Sequence, residues 1–275
     1  MDQHPLIDEL VVPQRKEESL WELYHENSKL SPYHEASLSQ KTILEELEKL
    51  YECLPYEGHP AIALPDSVIP LKNALDEVLT ARRSTRNFVS STLDLDQIGT
   101  LLTYAYGVRQ KNTNFPRSFR FTPSGGGLFP LELYVYTSHL DGHPPGIYHY
   151  HSLRHHLRLI HEGDLSGALG KTLIQTDLIQ NASVVIFLTA IFHRSIFKYG
   201  ERGYRFILLE AGHVAQNINL VSEALRMGCV NIGGFFDRKI DALLGLDGVT
   251  QSCLYLIALG KIAHESKPTS EGQGH

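Results

Sequence analysis

A short segment of the chain concentrates groups that bind anions. Residues 82–88 read Arg-Arg-Ser-Thr-Arg-Asn-Phe, which places three guanidinium groups and two hydroxyl groups close together. Arginine offers a rigid fork of donors that matches a phosphate group, and the Ser84 and Thr85 hydroxyls add short donors. The segment therefore predicts a phosphate site. The alternative is a solvated group of cations at a helix C-terminus, where the helix dipole stabilises positive charge.

Two glycine-rich segments are able to bring bare backbone against a flat ligand. Residues 123–130 contain three consecutive glycines, and residues 230–237 carry Gly233 and Gly234. Without a Cβ atom, backbone N–H groups can approach a ring system or wrap around a partner chain. Residues 123–130 do not match the dinucleotide fingerprint, because no strand precedes them and they open no helix. A flexible turn between a loop and a strand is the alternative interpretation.

Four motifs, taken in order along the chain, resemble one enzyme superfamily. They are an Arg-Arg-Ser-x-Arg-x-Phe segment, a Pro-Ser-Gly-Gly-Gly-x-x-Pro loop, an Ile-Gly-Gly-Phe turn and a closing Leu-Gly-Lys. The order resembles the flavin-dependent nitroreductase-fold superfamily. Within it, the chain is most similar to the SagB-type dehydrogenases, the azoline oxidases of thiazole/oxazole-modified peptide pathways. Residues 198–206 and 24–30 also resemble segments of that branch, and the resemblance spans residues 21–261.

The resemblance implies an FMN cofactor and assigns residues to it. For the phosphate and ribityl chain it implies Arg82, Ser84 and Arg86 together with Arg83, and Lys261 as the residue that closes the phosphate pocket. Near the flavin N5 atom it implies the backbone N–H groups of Gly233 and Gly234, and along the isoalloxazine ring it implies Ser124, Gly125, Gly126 and Gly127. The wider superfamily has an amide side chain and a glutamine where this chain has Gly127 and Phe129. This departure disfavours ordinary nitroreductase activity and agrees with the SagB-type branch.

Lys198 and Tyr199 are the candidate catalytic residues, an assignment that the resemblance supplies. Aromatising an azoline ring removes a proton from carbon while a hydride leaves toward N5, so the enzyme needs a base opposite the flavin. Tyrosine is a weak base at neutral pH, since its unperturbed pKa is about 10, but a neighbouring ammonium favours the phenolate. A partly desolvated lysine can itself be the base, so the assignment stays open between the two. Without the resemblance, a surface lysine beside an interface tyrosine is the plainer interpretation.

Composition excludes several classes of protein. The chain has 275 residues, a formal net charge of −6 and a pI near 6.2, so no basic field attracts nucleic acid or anionic membrane. Three widely spaced cysteines argue against a disulfide framework and a zinc knuckle and favour a reducing cytoplasm. The histidines at residues 149–156 lack the spacing of metal ligands, so no metal site is expected. We expect a cytoplasmic, soluble protein without a targeting sequence or membrane span.

Hydrophobic periodicity predicts an α+β fold, a sheet covered by helices. Helices are predicted at residues 39–54, at residues 71–79, and from Asp94, which forms a capping box with Gln97, to Gly107. The helix at residues 71–79 places its apolar residues on one face: Leu71, Ala74, Leu75, Val78 and Leu79. Strands are predicted at residues 131–137 from a two-residue alternation, at 146–150 and 156–160 as a hairpin, and at 183–190 as a central strand that is apolar on both faces. The run 204–227 is helical and apolar nearly all round, so its own domain or a second subunit must cover it.

The resemblance resolves that choice toward an intertwined homodimer with its two flavin sites at the interface. It also implies a nitroreductase-like fold with a central, mostly antiparallel sheet flanked by helices. We expect an N-terminal helical and extended segment at residues 1–70, an FMN-binding domain at residues 71–262 and a flexible tail at residues 263–275.

The resulting hypothesis is an FMN-dependent dehydrogenase that oxidises an azoline ring, or a C–C or C–N bond, of a peptide or peptide-like biosynthetic intermediate. Dioxygen would reoxidise the flavin. One alternative is an NAD(P)H-dependent reductase of nitro, quinone or enone acceptors, and another is a non-catalytic flavin-binding partner of a biosynthetic complex. The segment before Leu71 is too short and interrupted for a winged-helix peptide-recognition domain, so leader binding is expected in another protein, or the substrate carries no leader.

Overall fold

The computed structural model of the protein describes residues 19–32, 38–111 and 115–262. The expected tail at residues 263–275 and the first part of the N-terminal segment, residues 1–18, lie outside the described residues. The helices are α1 (Leu20–Asn27), α2 (Gln40–Lys49), α3 (Leu75–Ala81), α4 (Leu95–Tyr106), α5 (Ser166–Gly170), α6 (His193–Tyr199), α7 (Glu201–Ala224) and α8 (Asp237–Leu244). The strands are β1 (Ala61–Ala63), β2 (Phe88–Val89), β3 (Val108–Gln110), β4 (Phe119–Arg120), β5 (Leu131–Thr137), β6 (Gly146–His151), β7 (His156–Glu162), β8 (Val184–Ile191), β9 (Gly228–Ile232) and β10 (Gln251–Ile262).

Eight of these strands form one sheet in the order β1-β7-β6-β5-β8-β10-β2, with β9 also pairing with β10. Each pairing between these strands is antiparallel. Strands β3 and β4 form a separate antiparallel ribbon. The predicted α+β fold with a mostly antiparallel central sheet is therefore confirmed.

Helices cover both faces of the sheet, and β5 shows how the sequence produces this. Leu131, Leu133 and Val135 face the core formed with α4 and α7, while Tyr134 and Tyr136 face a second core formed with α5 and α8. The predicted two-residue alternation is present, but all seven residues of β5 are buried. Burial of a large apolar side chain contributes about 1.5–3 kcal/mol, so the two cores together hold the strand ends in fixed positions.

The elements with clear local sequence signals agree with their predictions. Helix α4 begins at the predicted capping box, in which the Asp94 side chain accepts from the Gln97 N–H at 2.7 Å, and it ends before Gly107. Strands β6 and β7 form the predicted hairpin. Strand β8 is central and buried along nearly all of its length, as its unbroken apolar run predicts.

Helix α2 is shorter than predicted, because it ends at Lys49 rather than at residue 54. Ser39 caps its start by accepting the Thr42 N–H at 3.1 Å. At its other end, the buried Arg117 guanidinium donates to the carbonyls of Leu47 and Leu50 at 2.9 and 3.0 Å. A distant arginine thus satisfies helix-terminal carbonyl groups, and this tertiary contact is invisible to periodicity.

The prediction of one amphipathic helix over residues 71–79 is wrong in its start and in its buried face. Helix α3 begins at Leu75, where the Glu77 carboxylate accepts the Ala74 N–H at 3.2 Å and fixes the helix N-terminus. Only Val78 is buried in α3, whereas the side chains of Leu75 and Leu79 are 65% and 52% exposed.

Helix α7 runs from Glu201 to Ala224, three residues earlier than predicted at each end. It packs against α4 and the sheet, but it is not covered on every side. Leu208 and Leu209 are 43% and 59% exposed and form part of an apolar outer face. None of the helices in the described ranges combines the length and apolar character that a membrane crossing requires.

Candidate functional site

The arginine turn, residues 82–86, is fixed between α3 and the start of β9. The Arg82 N–H donates to the Val78 carbonyl at 3.0 Å and so caps α3. Ser84 forms a parallel bridge with Cys229, the second residue of β9. The backbone of the turn is therefore held on both sides. The side chains of Arg83 and Arg86 are exposed and accessible to a ligand.

Arg86 and the glycine pair that follows β9 line the same cleft. Its lining includes Arg86, Asn231, Gly233 and Gly234, and apolar side chains form another part of the wall. The Gly234 carbonyl accepts the Ile174 N–H at 3.0 Å, which holds the turn in place. Asn231 Oδ1 is buried and has no hydrogen-bond partner among the described residues. The cleft thus combines a guanidinium group, bare backbone and an unsatisfied amide oxygen, a set suited to a phosphorylated ligand with a planar ring.

Lys261 lies at the end of β10, where the strand register places it opposite Val89. The next pair in this register joins Ile262 to Phe88, only two residues beyond Arg86. The end of β10 and the chain that leaves the arginine turn are therefore neighbours, and the Lys261 side chain is exposed there.

The glycine loop, residues 124–127, forms a single 3₁₀ turn. Gly126 and Gly127 both have a φ of +66°, a conformation that glycine adopts without steric cost. The Ser124 hydroxyl accepts the Phe129 N–H at 2.9 Å and closes the turn. Phe129 itself has a φ of 48°, which is strained for a side chain of this size, so surrounding contacts must hold this part of the chain in place.

Lys198 and Tyr199, hereafter the lysine–tyrosine pair, lie at the C-terminal end of α6 and contact the glycine loop. A Cβ atom built on Gly126 would lie 2.2 Å from Tyr199 Oη and 2.9 Å from Lys198 Nζ, so both polar ends converge on this glycine. Lys198 Nζ lies 5.0 Å from the centre of the Tyr199 ring. That ring meets the Phe206 ring edge to face at 4.9 Å. The structure therefore brings the two predicted catalytic residues to the predicted ring-lining loop.

Helix α1 packs on the first turns of α7, beside the lysine–tyrosine pair. Arg205 donates to the His25 carbonyl at 2.7 Å, and Arg202 donates to the Ser28 carbonyl at 3.1 Å. The Tyr24 hydroxyl donates to the Glu201 carbonyl at 3.3 Å. The charged residues that follow the pair therefore anchor the N-terminal segment.

A buried ion pair anchors α6 to the sheet. Arg194 and Glu132 of β5 are 2% and 3% exposed, and Arg194 Nη2 lies 2.7 Å from Glu132 Oε1. Burial alone would raise the pKa of Glu132, but Arg194 and a hydrogen bond with His149 outweigh it and hold this pKa well below its usual range. Arg194 lies one helical turn before Lys198, so the ion pair fixes the helix that carries the lysine–tyrosine pair.

The same carboxylate belongs to a cluster of potential metal ligands. Cys53 Sγ, a Glu132 oxygen and a His149 ring nitrogen all lie within 4.8 Å of one another. The Arg194 guanidinium already forms an ion pair with the Glu132 carboxylate, and burial raises the pKa of the Cys53 thiol to about 12. A protonated thiol and an arginine-bound carboxylate are poor ligands, so the cluster has the chemistry of a structural hydrogen-bond network.

Glu210 of α7 is a buried carboxyl group beneath the glycine loop, and the sequence analysis did not select it. Tyr106 donates to Glu210 Oε1 at 2.7 Å. Burial raises the pKa of Glu210 to about 7, although the nearby Ser124 hydroxyl, the hydrogen bond from Tyr106 and the charge of Arg120 act in the opposite direction. The sequence signal that could have identified Glu210 is an acidic residue at a buried position of an apolar helix. Asn231 lies within residues 230–237, the second glycine-rich segment, but the sequence assigns no role to it.

The predicted site residues that line clefts thus form two groups within the chain. Arg86 and the pair Gly233 and Gly234 line one cleft, whereas Ser124 lines two others, one with Gly127 and one with Gly125 and Phe206. The cleft of the first group and those of the second have no lining residue in common. The arrangement is that of an α+β protein with a cleft suited to a phosphorylated, planar ligand.

The sequence comparisons place the chain within this class. The profile of the Nitroreductase family matches residues 79–261. The chain belongs to the nitroreductase family, whose members are flavin-dependent oxidoreductases that bind FMN. It is 36% identical over 183 residues to MJ1384 of Methanocaldococcus jannaschii, which is named as a nitroreductase, and the match covers 66% of this chain and 88% of that protein.

A more distant relative is named for peptide processing. The chain is 26% identical over 146 residues to the microcin B17-processing protein McbC of Escherichia coli. This match covers 51% of the chain and 53% of McbC, so it spans about half of each protein.

Solved structures share the fold. A nitroreductase-family structure from Anabaena variabilis has a TM-score of 0.72 at 24% identity, covering 92% of this chain and 49% of that one. The E. coli microcin synthetase McbBCD complex with truncated pro-MccB17 contains a chain with a TM-score of 0.56 at 20% identity, with coverage of 89% and 92%. An FMN complex from Desulfovibrio desulfuricans has a TM-score of 0.50 at 18% identity, with coverage of 74% and 94%. At these identities the likeness concerns the fold alone.

Proposed function

We propose that the protein is an FMN-dependent dehydrogenase that oxidises an azoline ring, or a C–C or C–N bond, of a peptide or peptide-like intermediate. The observation that carries this proposal is the convergence of Lys198 Nζ and Tyr199 Oη on Gly126 of the glycine loop. Hydride transfer from NAD(P)H needs no base to take a proton from carbon, whereas oxidation of such a ring does. An amine and a phenol that meet at one point of the candidate site therefore favour the oxidation.

The residues present fit FMN. In this proposal Arg82, Ser84 and Arg86 hold the phosphate and ribityl chain, with Arg83 and Lys261 adding positive charge. Gly233 and Gly234 offer backbone N–H groups near N5, and Ser124, Gly125, Gly126 and Gly127 line the ring. The support is the cleft that Arg86 shares with Gly233 and Gly234, together with the unsatisfied oxygen of Asn231 at that cleft. Glycines also leave the ring-lining backbone uncovered, as a flat ligand requires.

We further propose a homodimer in which the two groups of one site come from different protomers. The support is that the cleft of Arg86 and those beside the glycine loop have no lining residue in common within one chain, so a second copy offers a way to bring both groups to one ligand. Leu208 and Leu209 give α7 an exposed apolar face near the loop that a partner can cover. Burial of such a face is the usual source of stability in obligate dimers.

The chain's own contribution to the reaction is to remove and hold a proton. FMN, when bound, supplies the acceptor for the hydride that leaves the substrate carbon. One member of the lysine–tyrosine pair takes the proton from that substrate. Either Tyr199 does so as a phenolate, which the neighbouring Lys198 ammonium favours, or Lys198 does so as a neutral amine and becomes an ammonium 5.0 Å from the centre of the Tyr199 ring. Phe206 supports the Tyr199 ring from one side. Dioxygen is the proposed final electron acceptor.

The test compares two half-reactions under nitrogen in Lys198→Ala and Tyr199→Phe, with Lys72→Ala and Tyr51→Phe as controls at exposed positions. Both test variants should keep FMN yet slow flavin reduction by an azoline-containing peptide about 10²–10⁴-fold, the contribution of a general base. Reduction by NADH should be unaffected if it occurs. Rapid reduction of the wild type by NADH but by no azoline or saturated peptide would replace this proposal with an NAD(P)H-dependent reductase. Wild-type rates in the variants would remove the two residues from the mechanism.

We also propose that the substrate is presented within a biosynthetic complex. The support is the likeness to McbC and the occurrence of a similar fold in the McbBCD complex with its precursor peptide. A flavin-loaded protein that oxidises a free azoline peptide at full rate, without any partner, would contradict this part. A protein that binds FMN but oxidises nothing with or without partners would be a non-catalytic flavin-binding component.

A further inference from the structure

The segment that leads from β4 into the glycine loop exposes apolar side chains and buries polar ones. Its sequence over residues 119–123 is Phe-Arg-Phe-Thr-Pro. Phe119 and Phe121 are 43% and 37% exposed. Arg120 and Thr122, which alternate with them, are only 6% and 1% exposed. A segment that covers a core shows the opposite alternation, so this inverted pattern indicates a surface that binds an apolar group.

Contacts with α4 and α7 fix this segment in place. The Phe121 ring meets the Tyr104 ring of α4 edge to face at 5.2 Å. The Thr122 hydroxyl donates to the Ala105 carbonyl at 2.6 Å and accepts from Asn217 Nδ2 at 3.0 Å. The exposed rings therefore have a fixed backbone beneath them, and a ligand that contacts them does not have to order the segment first.

The exposed rings form part of the wall of a cleft of about 370 Å³ beside the glycine loop, hereafter the aromatic cleft. Its aromatic and basic lining residues are Arg109, Phe119, Arg120, Phe121 and Phe129. The Arg120 guanidinium lies 5.1 Å from the centre of the Phe129 ring and supports that wall. Arg109 is exposed and forms no ion pair within the described part of the chain.

The size and the lining of the aromatic cleft suit a flat aromatic ring. A cavity of about 150 Å³ already holds benzene, so the cleft has room for an aromatic side chain. Such a ring packs favourably edge to face or offset against Phe119 and Phe121, and its face attracts the guanidinium of Arg109.

The aromatic cleft lies next to the point where the lysine–tyrosine pair meets the glycine loop. Gly127 lines the cleft, and the preceding residue, Gly126, is the one on which Lys198 Nζ and Tyr199 Oη converge. Consecutive Cα atoms of a chain are about 3.8 Å apart, in a substrate peptide as in the loop. The residue next to a ring held at the pair is therefore within reach of the cleft.

The cleft on the α7 side of the glycine loop has a different lining. It includes Leu209 and His213 of α7, and Leu209 belongs to the exposed face that we propose a second copy covers. The aromatic cleft shares Pro123 and Ser124 with it but contains no residue of α7. A partner that covers α7 therefore does not have to fill the aromatic cleft, which favours the substrate as its occupant.

We propose that the aromatic cleft is a substrate subsite that binds an aromatic side chain of the residue next to the ring that is oxidised. The subsite gives the enzyme a preference for substrates with an aromatic residue at that position. It rests on the proposed function, because the substrate is a peptide only in that proposal.

The test measures flavin reduction under nitrogen by two azoline peptides, one with phenylalanine on both sides of the ring and one with alanine. In the wild type, the rate at low peptide concentration should be about tenfold higher for the phenylalanine peptide, the contribution of a partly buried aromatic ring. In Phe121→Ala this ratio should fall to about two. The loss should appear in the half-saturating peptide concentration, because the subsite binds substrate and transition state alike. Tyr51→Ala removes a ring that is 66% exposed and lies outside the cleft, so it should keep the wild-type ratio.

Four results would overturn the proposal. They are equal rates with the two peptides in the wild type, an unchanged ratio in Phe121→Ala, loss of FMN from this variant on gel filtration, and its dissociation from dimer to monomer in sedimentation. The third would show that the cleft holds the cofactor ring, and the fourth that a second copy fills it. If Phe121→Ala does not fold, Phe119→Ala, at a more exposed position, decides the same comparisons.

A binding measurement separates failure of the subsite from failure of the proposed function. If neither peptide reduces the flavin, the proposed function fails, and calorimetric titration with the same two peptides decides the role of the cleft. About tenfold tighter binding of the phenylalanine peptide, lost in Phe121→Ala, would retain the cleft as a site for aromatic side chains. Equal binding of the two peptides would refute it.

Discussion

Gly126→Ala is a sharp test of the site geometry, because Gly127→Ala is a matched control beside it. Both glycines have a φ of +66°, so an alanine at either position meets the same backbone penalty, about 1 kcal/mol. Their surroundings differ. The new Cβ at Gly126 would lie 2.2 Å from Tyr199 Oη and 2.9 Å from Lys198 Nζ, whereas the nearest atom to one at Gly127 is Phe115 Cε1 at 3.8 Å.

The difference between the two variants should appear in the reaction rate and not in stability. Tyr199 Oη must move by roughly 1 Å to reach an ordinary contact distance, and a misplacement of this size in an active site costs about 10²-fold in rate. The tip of the tyrosine is able to move, so we expect both variants to melt about 2–4 °C below the wild type. Anaerobic stopped-flow measurement of peptide-driven flavin reduction, with melting curves, separates the two quantities.

Three results would refute this reasoning. Equal rates in Gly126→Ala and Gly127→Ala would show that the contact between the loop and the lysine–tyrosine pair has no role in the reaction. Loss of FMN from Gly126→Ala, with its retention in Gly127→Ala, would show that the crowded position supports the cofactor instead. Melting of Gly126→Ala far below Gly127→Ala would mean that Tyr199 is held rigidly and that the local packing is tighter than the contacts indicate.

Four other substitutions test separate parts of the structure. Arg86→Ala should leave a folded protein that loses FMN on gel filtration, because each charge-assisted hydrogen bond contributes about 1.5–3 kcal/mol; full retention of yellow colour would contradict this. Glu210 has a pKa raised from 4.5 to about 7, so its stabilising contribution is present below pH 4.5 and lost as the pH rises through 7. In chemical denaturation, the free energy of unfolding of Glu210→Gln should therefore rise by about 3 kcal/mol relative to that of the wild type between pH 4 and pH 8. A difference between the two proteins that does not change with pH would contradict this. Arg194→Met should destabilise the protein by about 3–5 kcal/mol, since it leaves the buried Glu132 carboxylate without its guanidinium partner, and a near-neutral effect on denaturation would contradict it. Leu209→Glu should shift sedimentation from dimer to monomer and weaken FMN binding, whereas a stable, flavin-loaded monomer of the wild type would refute the homodimer proposal.

The amino-acid sequence alone predicts the elements whose signals are local. The capping box at Asp94 and the glycine that ends α4 lie within one helix, and the two-residue alternation of β5 lies within one strand. These patterns depend on hydrogen bonds and side-chain periodicity between near neighbours, so they can be recognised without the fold. The motifs of the arginine turn and the glycine loop were visible for the same reason, since their residue types already restrict the backbone.

Which of those residues contact one another depends on the tertiary structure. Gly126 lies against the lysine–tyrosine pair because α6 is anchored to β5 by the buried Arg194, and no local pattern encodes that long-range contact. Glu210 acquires its raised pKa from burial beneath the glycine loop, a property of the packed core and not of the residue. Helix α3 exposes the leucines that periodicity assigned to a buried stripe, because burial depends on which neighbouring surface the fold supplies. Short stretches of sequence specify local chemistry, whereas the distances, burial and charges at a site arise only when distant stretches pack together.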